Sequence, residues 1–159
     1  MIILGVDPGS SRIGYGAIEY DREPSLLRYG TLEIISRDPA IQIQEAVQGF
    51  SALLKELQPA LVAVEKIYFA KNRKTGIAVA QTRGALIAEI QKHGLRFREY
   101  DPTTIKKTVA GYGHADKKAI AKMVCISLKI PSLSGHDDAS DALAVALTAA
   151  YHHVTDDLN

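Results

Sequence analysis

Met1-Ile-Ile-Leu-Gly-Val-Asp7-Pro8-Gly9-Ser-Ser-Arg12-Ile-Gly14-Tyr-Gly16 opens the chain. The run before Asp7 is wholly apolar, as in a central strand covered on both faces. It ends in a lone carboxylate. Pro8 biases Asp7 towards an extended backbone, and Gly9 lets the chain turn with no side chain in the way. A carboxylate at the end of a buried strand, beside a bare turn, can hold a cation or face a phosphate. It can equally cap its own turn through a side-chain hydrogen bond. This stretch alone leaves the two readings level.

Residues 13–20 and 26–35 read as two more strands, with a turn at Asp21-Arg-Glu-Pro24-Ser between them. Three strands with short connections predict an antiparallel meander. Asp38-Pro39 is a helix start, with Asp as N-cap and Pro at the first helical position. Ile43, Val47, Phe50, Leu54 and Leu57 then share one helical stripe, and Pro59 ends it. Residues 60–67 repeat the opening plan, a buried strand with one carboxylate, Glu65, near its end. A basic loop led by Tyr68 and Phe69 follows, carrying Lys71, Arg73 and Lys74. Residues 75–93 form a helix rich in small residues, with Gly94 as its C-cap. Residues 95–100 make a short strand near a sheet edge. Further helices are expected from Asp101-Pro102 to 110, from after the 111–114 loop to 129, and over 137–152. The pattern predicts an α/β fold, a mixed five-stranded sheet with three antiparallel strands and then parallel additions, flanked by helices. No boundary interrupts residues 1–153, so they are expected to form one domain, with 154–159 as a frayed tail.

The chain of 159 residues is long enough for a sizeable core, and 47% apolar against 23% charged residues is ordinary globular composition. No apolar run reaches membrane-spanning length and no signal-peptide pattern is present, so no membrane partner and a cytoplasmic location are expected. The single cysteine, Cys125, lies in a helical apolar pattern and is expected to be a small buried residue. The net charge of +1 conceals a sharp division. Residues 1–65 hold 5 Lys and Arg against 9 Asp and Glu, residues 66–129 hold 14 against 4, and residues 130–159 hold 5 Asp and no Lys or Arg. A basic middle between acidic ends suits a polyanion partner with a separate place for carboxylates.

Asp7 and Glu65 can converge if their strands are neighbours, since ligands of open α/β sheets bind at the carboxyl ends of strands. The third source is Asp137-Asp138-Ala-Ser-Asp141-Ala142. Asp138 and Asp141 share one helix face with Ala142, Val145 and Ala149. That face must pack on the protein, and a carboxylate there is costly unless paired or metal-bound. Capping explains one or two aspartates at such a helix start, and Asp137 is assigned to that role or to solvent. Capping does not explain Asp141. Oxygen donors without a Cys/His cluster suit Mg²⁺ or Mn²⁺ rather than Zn²⁺. Four carboxylates are a natural set for two such ions, which support in-line phosphodiester cleavage.

Four stretches in this order resemble the RuvC family of Holliday-junction resolvases, which have a ribonuclease-H-like fold. They are Ile3-Leu-Gly-Val-Asp7-Pro-Gly-Ser, Val62-Ala-Val-Glu65-Lys-Ile-Tyr-Phe-Ala-Lys71-Asn72, Ile105-Lys106-Lys-Thr-Val-Ala-Gly-Tyr-Gly-His and Asp138-Ala-Ser-Asp141-Ala-Leu-Ala-Val-Ala. The resemblance implies a homodimer that nicks a four-way DNA junction symmetrically, with Asp7, Glu65, Asp138 and Asp141 as its catalytic, metal-holding acids. It implies a junction-stacking aromatic at Tyr68 or its neighbour Phe69, and basic contacts at Lys106 and Lys117, with Lys107 and Lys118 as adjacent candidates. It also implies a branch-migration complex as partner. His114 and His136 are loop residues that can approach DNA.

Three other readings compete. A ribonuclease-H-like enzyme on RNA or RNA–DNA hybrid is disfavoured by the aromatic-basic loop and the paired lysines. An actin-like phosphotransferase needs two lobes, for which the chain is short. A non-catalytic junction-binding dimer would be expected to have lost carboxylates that are all present.

Overall fold

The computed structural model describes residues 1–67, 73–135 and 137–156, with the side chains of 73–75 and 154–156 outside the description. The elements follow in the order β1 (Ile2–Pro8), β2 (Arg12–Tyr20), β3 (Pro24–Glu33), α1 (Pro39–Leu57), β4 (Leu61–Glu65), α2 (Arg73–Lys92), β5 (Arg96–Tyr100), α3 (Pro102–Ala110), α4 (Lys117–Ser127) and α5 (Asp137–Asp156). The strands form one sheet in the order β3-β2-β1-β4-β5. β1 pairs antiparallel with β2 and parallel with β4, which pairs parallel with β5. The expected meander, the parallel additions and the edge position of β5 are all present.

β1 is central because it is apolar on both faces. Leu4 and Val6 point with Val62 and Val64 into a layer filled by Phe50 and Leu54 of α1 and by Leu86 and Ile90 of α2. Ile3, Leu61 and Ala63 point the other way, into a layer with Ile105, Ile120, Leu143 and Leu147 of α3, α4 and α5. Each fully buried large side chain contributes about 1.5–3 kcal/mol, so the scaffold can bear a few buried charges. Side chains alternate along a strand, so Asp7 follows Ile3 and Gly5, and Glu65 follows Leu61 and Ala63. Both carboxylates therefore face α5. The register Val6↔Val64 puts them side by side on neighbouring parallel strands.

α5 lies very close to the sheet. A Cβ on Gly5 would collide with the Ala142 carbonyl oxygen and stand 2.5 Å from the Ala146 nitrogen. One on Gly16 would stand 2.6 Å from Leu143 Cγ, and one on Gly14 would collide with the Asp138 carbonyl. Gly5 pairs with Gly16, and Asp7 with Gly14, so these glycines form one floor beneath the helix. The residues that remove side chains here also sink the acidic end of α5 beside Asp7.

The two expected acidic caps are present, and Asp116 adds a third that the sequence reading did not include. Asp38 accepts from the amides of Ala40 and Ile41, and Asp101 from that of Thr104. Asp116 accepts from Ala119 and starts α4 at Lys117. Two expectations need correction. Cys125 is half-buried rather than buried, because its helix turns Ile120 and Val124 inward and leaves Cys125 at the margin. α5 continues to Asp156, one turn beyond the expected end at 152, because no helix breaker follows His152.

Candidate active site

Three elements bring carboxylates to one cavity at the carboxyl end of the sheet. Its walls are Asp7, Glu65, Asp141, Lys106, Lys117, Pro102, Ile105, Ile120 and Ala144. β1 supplies Asp7, β4 supplies Glu65 and the second turn of α5 supplies Asp141. Lys106 comes from α3 and Lys117 from the first position of α4, so two cations face three acids across the cavity.

Asp7 is the most perturbed group. Burial, then the charges of Glu65, Asp141 and Asp138, raise its pKa from 3.8 to about 8. Burial and Asp141 also push Glu65 upward, while a hydrogen bond from Asp7 and the charges of Lys117 and Lys106 oppose the shift. Asp7 and Glu65 stand within hydrogen-bond reach of each other. Lys117 Nζ donates to Asp141 Oδ2 at 2.9 Å, and that bond raises the lysine pKa. A carboxylate raised this far reflects burial first and the neighbouring acids second, a combination typical of functional sites.

The donor set fits a hard divalent cation. All candidate ligands are carboxylate oxygens, and Asp7 stands among the other acids, whose charges add to burial in raising its pKa. Among the described residues no group of three or more acidic, histidine or cysteine side chains is gathered closely enough to hold a metal ion, and Asp141 Oδ2 accepts from Lys117 Nζ.

Asp138 is placed differently from the other three. It lines a separate groove with Asp7, Gly9, Ser10, Ser11, Arg12 and Val79, and Arg12 NH1 lies 3.7 Å from its Oδ2. Asp7 lines both spaces, and the charge of Asp138 acts on it. Arg12 was missed by sequence reasoning, although a lone arginine directly after a strand-ending turn is a usable signal. Half-buried Lys106 lines the cavity, while Lys107 is exposed and does not. Lys117 lines the cavity and also an adjacent groove with Asp137, Ser140 and Asp141, whereas Lys118 lines only that groove of the two. Asp137 is exposed, as expected of a cap or solvent-facing residue, and so is His114. Tyr68, Phe69, Lys71 and His136 lie outside the described residues, as do the side chains of Arg73 and Lys74.

A mixed sheet in this strand order, with acids from β1, β4 and the last helix meeting at one end, defines a ribonuclease-H-like nuclease that depends on divalent metal. Residues 3–149 match the family of crossover junction endodeoxyribonuclease RuvC. The chain belongs to that family and is an endodeoxyribonuclease that resolves four-way DNA junctions. It is 41% identical over 149 residues to crossover junction endodeoxyribonuclease RuvC of Natranaerobius thermophilus, covering 92% of each chain. It is 36% identical over 155 residues to that of Chloroflexus aggregans, covering 95% of this chain and 93% of the relative. The structure of Thermus thermophilus RuvC in complex with Holliday junction substrate aligns with a TM-score of 0.89 at 28% identity, over 98% of this chain and 96% of the other. The junction resolvase reading is thereby favoured over an enzyme of RNA–DNA hybrids or a non-catalytic binder. No helix among the described residues is long and apolar enough to cross a membrane.

Proposed function

We propose that residues 1–153 form a single nuclease domain that acts as a homodimer on four-way junctions and cuts two opposing strands symmetrically. Asp7, Glu65, Asp138 and Asp141 hold two Mg²⁺ ions, with Mn²⁺ able to replace them. The observation that carries this reading is the meeting of Asp7, Glu65 and Asp141 in one lysine-walled cavity, with Asp7 raised to about 8. Bound divalent ions supply an activated water and charge stabilisation for the leaving oxygen.

The chain's own residues orient the DNA. Lys106 and Lys117 face the space beside the acids and stabilise the charge that develops on the scissile phosphate as it is cut. Exposed Lys107 and Lys118 contact the neighbouring backbone. The bare turn at Pro8-Gly9 lets a phosphate backbone come close to Asp7. Tyr68 or Phe69 stacks on bases at the junction centre, where either ring offers a face. Lys71, Arg73 and Lys74 follow them in sequence and add phosphate contacts. A branch-migration complex delivers the junction, in the cytoplasm. A two-fold dimer matches the symmetry of the junction, so that two sites reach equivalent strands.

The test is a panel of end-labelled four-way junction, linear duplex, flap and RNA–DNA hybrid, each with Mg²⁺ or Ca²⁺. Paired symmetric nicks in the junction, dependent on Mg²⁺, are expected. Preferential cutting of the hybrid would overturn the reading.

A further inference from the structure

We propose that Arg83 is a positioning residue for Glu65, acting from the face of the sheet opposite the cavity. This rests on the reading of Glu65 as a metal-holding acid. Arg83 lies on α2, whose Leu86 and Ile90 pack against Val62 and Val64 of β4. From there its Nε donates to the Glu65 carbonyl oxygen at 3.3 Å. Its guanidinium also forms an ion pair with Glu99 of β5. Glu99 stands opposite Val64 in the ladder, so the pair straddles the last rungs of β4 and β5.

The location explains why a guanidinium is useful. β4 ends at Glu65, and its pairing with β1 ends at Val6 and Val64. On the other flank, the Lys66 amide donates to the Tyr100 carbonyl at 2.8 Å. The peptide plane leaving Glu65 is thus pinned from one side by β5 and from beneath by Arg83. The carboxylate projects from the same residue towards α5. A rotation of roughly 15° about that backbone moves a carboxylate tip by about 1 Å, and such a misplacement can cost about 100-fold in rate. Arg83 is only 21% exposed and its partner Glu99 31%, and desolvation lowers the guanidinium's pKa. A desolvated guanidinium bonded to a backbone carbonyl is held in one orientation by its planar fork.

Arg83 also joins two segments that are distant in sequence. The chain leaves β4 at Glu65, passes through the aromatic-basic stretch and enters α2 at Arg73. The bond from Arg83 to the Glu65 carbonyl closes that excursion directly behind the acid.

The experiment compares Arg83→Met, Arg83→Lys and Glu99→Gln with the full-length wild type. Mn²⁺ binding is read by calorimetry, Mg²⁺ half-saturation by cleavage, and junction affinity by gel shift in Ca²⁺. Arg83→Met should weaken metal binding and raise half-saturation by about 10-fold, the low end of the range for residues that orient a metal ligand. Junction affinity should stay unchanged. Arg83→Lys should recover part of the loss, because an ammonium reaches the carbonyl or Glu99 but lacks the fork. In a Glu65→Gln background, Arg83→Met should cause no further loss of metal binding.

Wild-type metal binding and half-saturation in Arg83→Met would overturn the proposal. So would equal losses in the wild-type and Glu65→Gln backgrounds, which would reduce Arg83 to a fold-stabilising ion pair. If Arg83→Met does not fold, the lysine variant and Glu99→Gln decide, and unchanged metal binding in both overturns it. Glu65→Gln alone guards the underlying reading, since normal cleavage by that variant would remove Glu65 from the metal site whatever Arg83 does.

Discussion

The ammonium of Lys117, at the first position of α4, stands 2.9 Å from Oδ2 of Asp141 on α5. The pair closes the cavity wall next to Asp7 and Glu65. An ion held by Asp141 and the Lys117 ammonium compete for one oxygen, while Lys117 also faces the place proposed for the phosphate. Lys117→Met should therefore act in opposite directions on two readouts. The half-exposed pair is worth ~0.2–1 kcal/mol, so divalent-ion binding should tighten by up to about 5-fold by calorimetry. Cleavage should slow by about 100-fold, the scale for removing one preorganised charge from a reacting phosphate. Parallel weakening of both would make Lys117 a metal-site support instead of a phosphate contact.

Asp7 sets the pH behaviour. Its folded pKa of about 8 lies far above the ordinary 3.8, so between these values the folded state binds the proton and the unfolded state does not. Stability linked to Asp7 is fully present below pH ~4 and is lost as pH rises through about 8. Metal-free protein should lose thermal stability from pH 5 to 8, and Mg²⁺ should restore it most at the upper end. Asp7→Asn should flatten that slope and stabilise the metal-free protein at pH 8 by ~1 kcal/mol or more, about 2–4 °C. It should abolish cleavage while leaving junction binding intact. Differential scanning at several pH values, paired with nicking and gel-shift assays, checks all three outcomes.

The architecture was legible because each strand and helix carried its own punctuation. Asp38-Pro39 and Asp101-Pro102 start helices in both sequence and structure. The apolar runs ending in Asp7 and Glu65 place two acids on adjacent strands once β1 and β4 pair. Their common face was not stated by either run alone, since it depends on the register of that pairing. Nor could the sequence separate Lys106 from Lys107, because only the seating of Ile105 and Val109 fixes the roll of α3. Arg83 gave no signal, as one arginine in a mixed helix resembles any solvated residue. Nothing in the sequence marks Gly5, Gly14 and Gly16 as the floor of α5, a role that appears only with the helix in place.

That floor carries a sharp expectation. Gly14→Ala would push a methyl against the Asp138 carbonyl and into the start of α5, with backbone rather than a flexible side chain as the obstacle. Overpacking of this kind costs about 1–3 kcal/mol, and occasionally more. The helix start must shift outward, which separates Asp138 and Asp141 from Asp7. Cleavage should therefore fall far more than the stability loss explains, even at a temperature where the variant remains folded. Gly84→Ala is the control, since an added methyl there meets no atom within 4 Å. Chemical denaturation and nicking assays on both variants separate packing from site geometry, and normal cleavage by folded Gly14→Ala would refute the link.

The adjacent lysines of α3 provide the last contrast. Half-buried Lys106 lines the cavity with Asp7 and Glu65, and its charge reaches Glu65, while Lys107 is exposed outside it. Lys106→Ala should slow cleavage about 10- to 100-fold, with little effect on the salt dependence of binding. Lys107→Ala should do the reverse, weakening junction binding modestly and lowering the salt slope by about 1, as expected for one lost phosphate contact. Single-turnover cleavage on saturated junction isolates the first effect, and binding isotherms across a salt series isolate the second. If the two variants exchanged phenotypes, α3 would have to be rolled by one residue on the DNA-bound enzyme. That would also move Ile105 and Val109 out of the core, so a matching loss of thermal stability would accompany it.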